Sequence, residues 1–292
     1  MKERNEYFDN VKIKSNKDKN KSFERKGKFK DINFKKSLGQ NFISDKNLLN
    51  SIVRLAEIDQ EDNVLEIGAG AGTLTEVLAL NAKKVLSYEI DTELKDRLID
   101  ITKNYSNLEI VFQDFMTVNE RDIFNGKNFK VVANIPYYIT TPIIFKLLNV
   151  KERISSMMFM VQKEVAVRFA SKEGSKEYGI PSIMLQAIAD VSVAKVVPKE
   201  CFTPMPKVDS ALMKIELKDK FKIENFEYFS KLVHSAFAMR RKTLVNNLTK
   251  NFNIEKEILI NNLKKINYNE NIRPEQISVE NYVKLSNLLK NN

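Results

Sequence analysis

The chain of 292 residues contains one cysteine, one histidine and no tryptophan. With Cys201 as its only thiol it cannot form an internal disulfide, and no Cys/His ligand set exists for a structural zinc ion. We therefore expect a reducing, intracellular compartment and no metal cofactor. No apolar stretch approaches the roughly 20 residues that a membrane helix needs, and the N-terminus lacks the apolar core of a signal peptide. These absences predict a soluble, cytoplasmic protein with no membrane partner.

The formal charge of +10 is unevenly distributed along the chain. Residues 1–36 hold 13 Lys/Arg against 6 Asp/Glu, a net of +7, and residues 221–292 hold 12 against 7, a net of +5. Residues 37–220 are left at −2. Basic ends suit a polyanionic partner, since each cation that neutralises a phosphate releases counterions. For the N-terminal tail, a solvated surface that aids only solubility is an equally good interpretation.

The pattern of apolar residues predicts three regions. Residues 1–34 are polar and Lys-rich without sustained periodicity, which predicts a disordered basic tail. Residues 35–220 alternate short apolar runs with amphipathic segments, which is typical of a parallel α/β sheet. Residues 221–292 are helical throughout and predict a small all-α domain. The predicted strands are Val64–Ile67, Lys84–Glu89, Leu108–Phe112, Phe129–Ala133, Ser156–Val161, Val191–Val197 and Ser210–Leu217.

Helices fit between and after these strands. The short connection between the last two strands predicts an antiparallel ending to the sheet. In the C-terminal region one long helix is predicted over Phe226–Asn247, and His234 within it lies among apolar residues, which favours packing over catalysis. The other predicted helices are a segment around Leu48–Leu55, Leu74–Asn81, Thr92–Lys103, Thr141–Leu148, Lys163–Ser171, Pro181–Ala189, Glu255–Lys264 and Pro274–Leu289.

A glycine-rich loop between the first strand and its helix predicts a cofactor site. Gly68, Gly70 and Gly72 stand at alternate positions, which permits a tight turn and lets a ligand lie against the backbone. Glu89 ends the next strand, where a carboxylate can accept both hydroxyls of a ribose, and Asp114 ends the third strand, where it can meet an adenine amino group. A dinucleotide site is the competing interpretation, but the loop holds no Lys or Arg for a pyrophosphate. A cofactor with ribose, adenine and a zwitterionic tail fits better, and S-adenosylmethionine is that molecule.

The tetrapeptide Asn134-Ile135-Pro136-Tyr137 follows the fourth predicted strand. The amide oxygen of Asn134 and the carbonyl beside Pro136 can accept the hydrogens of an amine, while Tyr137 can stack on a flat ring. A plain strand-to-helix turn is the alternative for these four residues alone. Their place at the same sheet edge as Gly68, Glu89 and Asp114 favours a site where a methyl donor meets an amine.

Nine separate sequence blocks resemble the bacterial small-subunit rRNA adenine dimethyltransferases, the KsgA/RsmA family, which are relatives of the Erm methylases. The blocks occur in family order over roughly residues 35–285. They are KKSLGQNFISD, VLEIGAGAGTLT, SYEID, FQDF, ANIPYYITTPIIFKLL, MVQKEVAVRFASKEGSKEYG, FTPMPKVDSALMKIE, FAMRRKTLVNNL and IRPEQISVENY. The implied fold is a Rossmann-like methyltransferase sheet with a small C-terminal all-α domain.

The resemblance also implies residue roles. It puts contacts to S-adenosylmethionine on Asn41, Ile43, Gly68, Glu89, Asp114 and Asn134, and Gly70 lies in the same glycine loop. Phe202 is a candidate second stacking wall for the substrate base, with a core role equally open. Arg240, Arg241 and Lys242 form a basic cluster in the region where the family binds RNA, although a solvated face is the alternative.

The implied reaction is N6-dimethylation of two adjacent adenosines near the 3′ end of 16S rRNA, within an assembling 30S particle and by a monomer. Two alternatives stay open. One is an Erm-like methylase that acts on a single adenine of 23S rRNA. The other is a ribosome-assembly factor that keeps the fold and binds RNA without methylating it. The intact Glu89, Asp114 and Asn-Ile-Pro-Tyr favour catalysis over the second alternative.

Overall fold

The computed structural model describes residues 29, 32, 34–35, 39–136, 139–239, 241–252 and 254–290. Residues 34–292 form one compact unit, and residues 1–33 form a second, of which only Phe29 and Ile32 are described. The predicted disordered tail, residues 1–34, therefore falls almost wholly outside the described residues.

The described residues of the larger unit alternate strands and helices and then continue as helices alone. The strands are β1 (Phe42–Ile43), β2 (Asn63–Ile67), β3 (Lys84–Glu89), β4 (Leu108–Phe112), β5 (Phe129–Asn134), β6 (Ile154–Gln162), β7 (Ala189–Val197), β8 (Phe202–Thr203) and β9 (Ser210–Leu217). The α-helices are α1 (Lys46–Leu55), α2 (Thr73–Asn81), α3 (Lys95–Thr102), α4 (Thr140–Leu147), α5 (Lys163–Ala170), α6 (Ile180–Gln186), α7 (Phe226–Ala236), α8 (Leu244–Asn251), α9 (Lys256–Lys265) and α10 (Val279–Lys290). No helix within the described ranges combines the length and the apolar character that crossing a membrane requires.

Seven strands form one sheet in the order β4-β3-β2-β5-β6-β9-β7. The strands from β4 to β6 pair in parallel, whereas β9 pairs antiparallel with both β6 and β7. The predicted α/β class and the antiparallel ending of the sheet are confirmed. Because β2, β3, β4 and β5 are parallel neighbours, their carboxyl ends meet at one edge, which is where open α/β sheets bind ligands.

The central strands are apolar on both faces because both faces are covered. Leu65 and Ile67 of β2 and Val131 and Ala133 of β5 belong to one continuous core, and Val64 on the opposite face of β2 is also fully buried. This burial on two sides explains why the strands read as continuous apolar runs rather than alternating ones. It also fixes the positions of the strand ends.

A second apolar core joins α6 to the C-terminal helices. Ile183 and Met184 of α6 belong to the same buried cluster as Phe229 and Leu232 of α7 and Tyr282 of α10. Tyr178, just before α6, donates a hydrogen bond from its buried hydroxyl to Ile277 O at 2.9 Å. The predicted domain boundary at residue 220 stays a prediction.

The predicted helix over Phe226–Asn247 is wrong, because the chain forms two helices there. α7 ends at Ala236 and α8 begins after Thr243, whose side chain accepts a hydrogen bond from Asn246 N and caps α8. The predicted helix Pro274–Leu289 is similarly divided into a short 3₁₀ turn, Pro274–Gln276, and α10. Apolar periodicity runs on through both breaks, so it could not reveal them.

Candidate active site

The glycine loop after β2 lies directly against the N-terminal segment. Gly68 and Gly70 have φ angles of 81° and 54°, in the left-handed region that favours glycine. A Cβ placed on Gly70 would lie 2.9 Å from the ring of Phe42, which is too close for any side chain there. The sequence therefore needs glycine both for the turn and for the close approach of β1.

Glu89 ends β3 beside this loop with only 6% of its surface exposed. Its two carboxylate oxygens accept hydrogen bonds from Gly70 N at 2.6 Å and from Asp91 N at 2.8 Å. Burial raises the pKa of Glu89, although these backbone hydrogen bonds counteract the effect in part. The carboxylate is thus fixed in direction and faces the same cavity as the glycine loop.

Asp114 follows β4 and caps the short 3₁₀ helix Phe115–Thr117. One carboxylate oxygen accepts a hydrogen bond from Met116 N at 2.8 Å. The described residues supply no hydrogen bond to its second oxygen, and the side chain is partly exposed on the cavity wall. This second carboxylate oxygen of Asp114 can therefore accept a hydrogen bond from an amino group in the cavity.

Asn134 ends β5 with its amide oriented by the N-terminal segment. The amide Nδ2 donates to Asn41 O at 3.1 Å, which leaves Oδ1 as the acceptor end of the side chain. Ile135 is buried, and the carbonyl of Pro136 is used by Ile139 N at 3.2 Å. Tyr137, the predicted stacking residue, lies outside the described residues.

The N-terminal strap, by which we mean the described residues Phe34, Lys35 and 39–43, contributes residues 39–43 to the cavity wall. Within it β1 pairs antiparallel with β8, with Ile43 opposite Phe202. The carbonyl of Ile43 accepts a hydrogen bond from Thr73 Oγ1 of α2 at 2.9 Å. The predicted residues Asn41 and Ile43 both line the cavity.

One cavity of about 210 Å³ brings these elements together at the carboxyl edge of the sheet. Its lining combines the strap, the glycine loop and the ends of β3, β4 and β5. Every predicted cofactor residue lies on it: Asn41, Ile43, Gly68, Gly70, Glu89, Asp114 and Asn134. Within the described ranges, no group of three or more His, Cys, Asp or Glu side chains could hold a metal ion.

The described residues among those predicted to bind the substrate, Phe202, Arg241 and Lys242, do not line this cavity. Phe202 is 4% exposed and pairs with the strap, so the structure gives it a core position, while its stacking role stays a prediction. Arg241 and Lys242 are exposed in the basic turn, residues 237–243 between α7 and α8, and neither lines the cavity. Arg240 lies outside the described residues.

His234 is exposed on α7, so the packing role predicted for it is wrong. Leu232, Val233 and Ala236 form the buried face of this helix. His234 points away from that face, and its Nδ1 lies 2.8 Å from Ser230 O.

Two buried acids near the cavity were not singled out by the sequence. Glu66 of β2 is fully buried and accepts a hydrogen bond from Ser87 Oγ at 2.7 Å, and burial raises its pKa to about 7. Asp91, two residues after Glu89, accepts hydrogen bonds from Lys35 and Gln40 of the strap. The blocks VLEIGAGAG and SYEID contain both residues, but the sequence carries no signal of which strand face they occupy or of the long-range partners they meet.

A family model described as ribosomal RNA adenine dimethylase matches residues 31–291. Proteins named ribosomal RNA small subunit methyltransferase A, from Bacillus cereus and Bacillus mycoides, are 43% identical to this chain over 268 residues, which is 88% of this chain and 92% of theirs.

Two solved structures share the architecture. A dimethyladenosine transferase from Plasmodium falciparum is 28% identical, with a TM-score of 0.73 over 84% of this chain and 95% of that one. The 23S rRNA methyltransferase ErmE is 26% identical, with a TM-score of 0.69 over 86% of this chain and all of that one. The Rossmann-like methyltransferase fold predicted for this chain is thereby confirmed.

Proposed function

Because this chain belongs to the ribosomal RNA adenine dimethylase family, we propose that it dimethylates N6 of two adjacent adenosines near the 3′ end of 16S rRNA. The enzyme class, an rRNA adenine methyltransferase, follows from family membership. The observation that carries the proposal is the convergence of Glu89, Asp114 and Asn134, from three strands of one sheet, on a single cavity. The 43% identity to small-subunit methyltransferases supports the choice of 16S over 23S rRNA.

The cavity fits S-adenosylmethionine as the methyl donor. Glu89 presents a fixed carboxylate for ribose hydroxyls, and Asp114 has an oxygen to which no described residue donates, suited to an adenine amino group. The close packing of Gly70 against Phe42 leaves no room for a side chain at Gly70, beside the proposed ligand. This donor supplies a methyl group on a positively charged sulfur, a good leaving group that needs no acid or base.

Asn134 and Ile135 hold the target amine in our proposal. An adenine amino nitrogen is a poor nucleophile, since its lone pair is delocalised into the ring. Acceptance of its hydrogens by Asn134 Oδ1 and the Ile135 carbonyl favours a tetrahedral nitrogen and stabilises the positive charge that develops on it. The bond from Asn134 Nδ2 to Asn41 O supports this role, because it directs Oδ1 as an acceptor.

Tyr137 and Pro136 complete the proposed substrate site. A stacked aromatic contributes roughly 1–3 kcal/mol per base, which helps offset the cost of extruding the adenine. Pro136 cannot extend the strand pairing that ends at Asn134, since it has no backbone N–H to donate. We assign the stacking to Tyr137, with Phe202 as the candidate for the opposite wall.

The basic turn supports a contact with RNA phosphates. Arg241 and Lys242 are exposed, and the described residues form no ion pair with either. We propose that they position a 30S particle, in the cytoplasm, against a monomeric enzyme. Light scattering of the purified chain tests the monomer.

The deciding experiment incubates the chain with labelled S-adenosylmethionine and unmethylated small subunits, and then maps the label. We expect label on two adjacent adenosines near the 3′ end of 16S rRNA. Label found only on 23S rRNA would replace this proposal with the Erm-like one, for which the likeness to ErmE is the supporting observation. Tight RNA binding without label would favour a non-catalytic assembly factor.

A further inference from the structure

Asp91 lies at the centre of a hydrogen-bond network that reaches the N-terminal strap. One of its carboxylate oxygens accepts a hydrogen bond from Lys35 Nζ at 2.6 Å, and the other accepts one from Gln40 Nε2 at 2.6 Å. Lys35 also lies 3.0 Å from Glu93, and Gln40 is held in turn by Lys35 N, which donates to its Oε1 at 2.9 Å. The carboxylate thus binds two strap residues at once.

The same residue is tied to the cofactor-facing side of the sheet. Asp91 N donates to Glu89 Oε1, while the other oxygen of Glu89 accepts from Gly70 N. A continuous set of hydrogen bonds therefore runs from the glycine loop through Glu89 and Asp91 to the strap. Gln40, Glu89 and Gly70 line the cavity, whereas Asp91 and Lys35 do not.

The burial of Asp91 makes its partners necessary. Its surface is only 2% exposed, and an unpaired carboxylate at such a depth is costly. Burial alone would raise its pKa, but the hydrogen bonds from Lys35, Gln40 and Glu93 N outweigh burial and hold the pKa of Asp91 below its usual range. Loss of Lys35 would leave this carboxylate without its cation, so the strap and Asp91 depend on each other.

The far end of the strap is fastened independently. Asn134 Nδ2 donates a hydrogen bond to Asn41 O, and β1 pairs with β8. Asp91 therefore fixes the end of the strap nearest Glu89, while Asn134 fixes the end nearest the target amine. Each end of the strap is thus held by a residue outside the strap.

We propose that Asp91 is a positioning residue for the methyl-donor site, which through its contacts with Lys35 and Gln40 holds the strap against the rim of the cavity. This inference rests on the proposed function. It assigns affinity for the donor to two residues, Asp91 and Lys35, that do not line the cavity. Chemistry at Asn134 and the affinity for RNA are set by other parts of the molecule.

The test measures binding of S-adenosylmethionine and of S-adenosylhomocysteine by calorimetry, and the ligand release rate by stopped flow. Asp91→Asn, Lys35→Met and the double variant are compared with the wild-type chain. We expect each single variant to weaken binding about tenfold, with faster release, because a charge-assisted hydrogen bond is lost. The double variant should bind the donor as tightly as Asp91→Asn does, since both substitutions remove the same Lys35–Asp91 contact.

Steady-state kinetics separate positioning from general damage. The KM for S-adenosylmethionine should rise with the Kd, while kcat at saturating donor and the KM for RNA stay within about twofold. Lys84→Met is the matched control, because it removes an exposed ion pair of the same type, with Glu109 at 3.1 Å, at the opposite end of β3. It should leave donor binding unchanged.

The outcomes distinguish this inference from a structural role and from the proposed function. Asp91 also caps the 3₁₀ helix Thr92–Leu94, so Asp91→Asn alone could lower stability. Lys35→Met leaves that cap intact, and unchanged donor binding in Lys35→Met would overturn the inference. Failure of the wild-type chain to bind either ligand would overturn the proposed function instead.

Discussion

The cavity and the basic turn both present polar side chains, but the two regions hold them in opposite ways. At the cavity Glu89 is buried, and both of its carboxylate oxygens accept hydrogen bonds from backbone N–H groups. In the basic turn Arg241 and Lys242 are exposed to solvent. A buried group acts through its direction, whereas an exposed cation acts through its charge.

The basic turn nevertheless depends on one buried residue. Asn247 of α8 is fully buried, and its Nδ2 donates to Ala236 O at 2.7 Å and to Met239 O at 3.2 Å. Its Oδ1 accepts a hydrogen bond from Met239 N at 3.1 Å. Asn247 therefore ties the start of α8 to the end of α7 and to the turn between them. The difference between the regions therefore lies in which groups touch the ligand, since both are supported by buried hydrogen bonds. Substitutions of the groups that touch a ligand and of the buried groups that support them should separate the two contributions.

The largest effect is expected for Asn134→Ala. This change removes the acceptor proposed for the target amine, and loss of one preorganised polar group of that kind lowers kcat by about 10³-fold. RNA affinity should stay nearly unchanged, because the substitution lies inside the cavity. Methyl transfer from labelled donor to small subunits, with filter binding of the same RNA, measures both.

Asn134→Ala also removes the bond to Asn41 O, so donor binding needs its own measurement. A neutral hydrogen bond contributes about 1 kcal/mol, which limits that loss to roughly tenfold. Full methyl transfer by this variant would refute the role of Asn134. If the Kd for the donor rises by the same factor by which kcat falls, the role of Asn134 would instead be to hold the strap through Asn41 O.

The next effect concerns Glu66 and pH. Its folded-state pKa of about 7 lies above the ordinary 4.5, so the folded chain holds this proton more tightly than the unfolded chain. The resulting stability is complete below about pH 4.5 and is lost as the pH rises through 7. As the pH rises from 4.5 to 7, loss of this stabilisation should lower the free energy of unfolding by up to roughly 3 kcal/mol.

Glu66→Gln should remove that part of the pH dependence, because the amide stays neutral. Urea unfolding of the wild type and Glu66→Gln at pH 5 and pH 8 measures it. Exposed Glu109 on β4 supplies the control, since Glu109→Gln should follow the wild type. If the free energy of unfolding changes equally with pH in the wild type and in Glu66→Gln, Glu66 is ionised in the folded chain. The cavity region would then resemble the basic turn more closely.

The sheet edge could be predicted from sequence because its signals are local. Apolar runs mark β2 to β5, and the polar residue that ends each run marks the edge, as Glu89 and Asn134 do. The pairing of β1 with β8 and the contact of Lys35 with Asp91 had no such signal, since they join residues far apart in the chain. A strand of two residues is too short to show an alternating apolar pattern, and a salt bridge between distant residues produces no periodic pattern in the sequence.

The break before the basic turn was missed for a related reason. Residues around Ala236 and Met239 are good helix formers, so propensity favours one continuous helix. The side chain of Asn247 overrides that preference by bonding backbone groups that a helix would use. Tertiary hydrogen bonds of this kind are decided by the fold and not by the local sequence.

Asn247→Ala should loosen the basic turn at its support. Three hydrogen bonds are lost, one of them buried, which should cost about 2 kcal/mol of unfolding free energy. RNA affinity should fall with it, while donor binding at the cavity stays unchanged. Asn246→Ala is the matched control, because its exposed side chain is adjacent on α8. Equal RNA affinity in both variants would show that the turn needs no support from Asn247.

The smallest effects are expected for the exposed cations themselves. Arg241→Ala and Lys242→Ala should each weaken RNA binding about threefold, since each removes one phosphate contact among several. Each should also lower the slope of log Kd against log salt by about 0.7 to 0.9. Lys103→Ala, just after the end of α3, removes an exposed cation outside the turn and should change neither quantity. Unchanged salt slopes in both turn variants would mean that these cations form a solvated face, and that RNA is held by another surface.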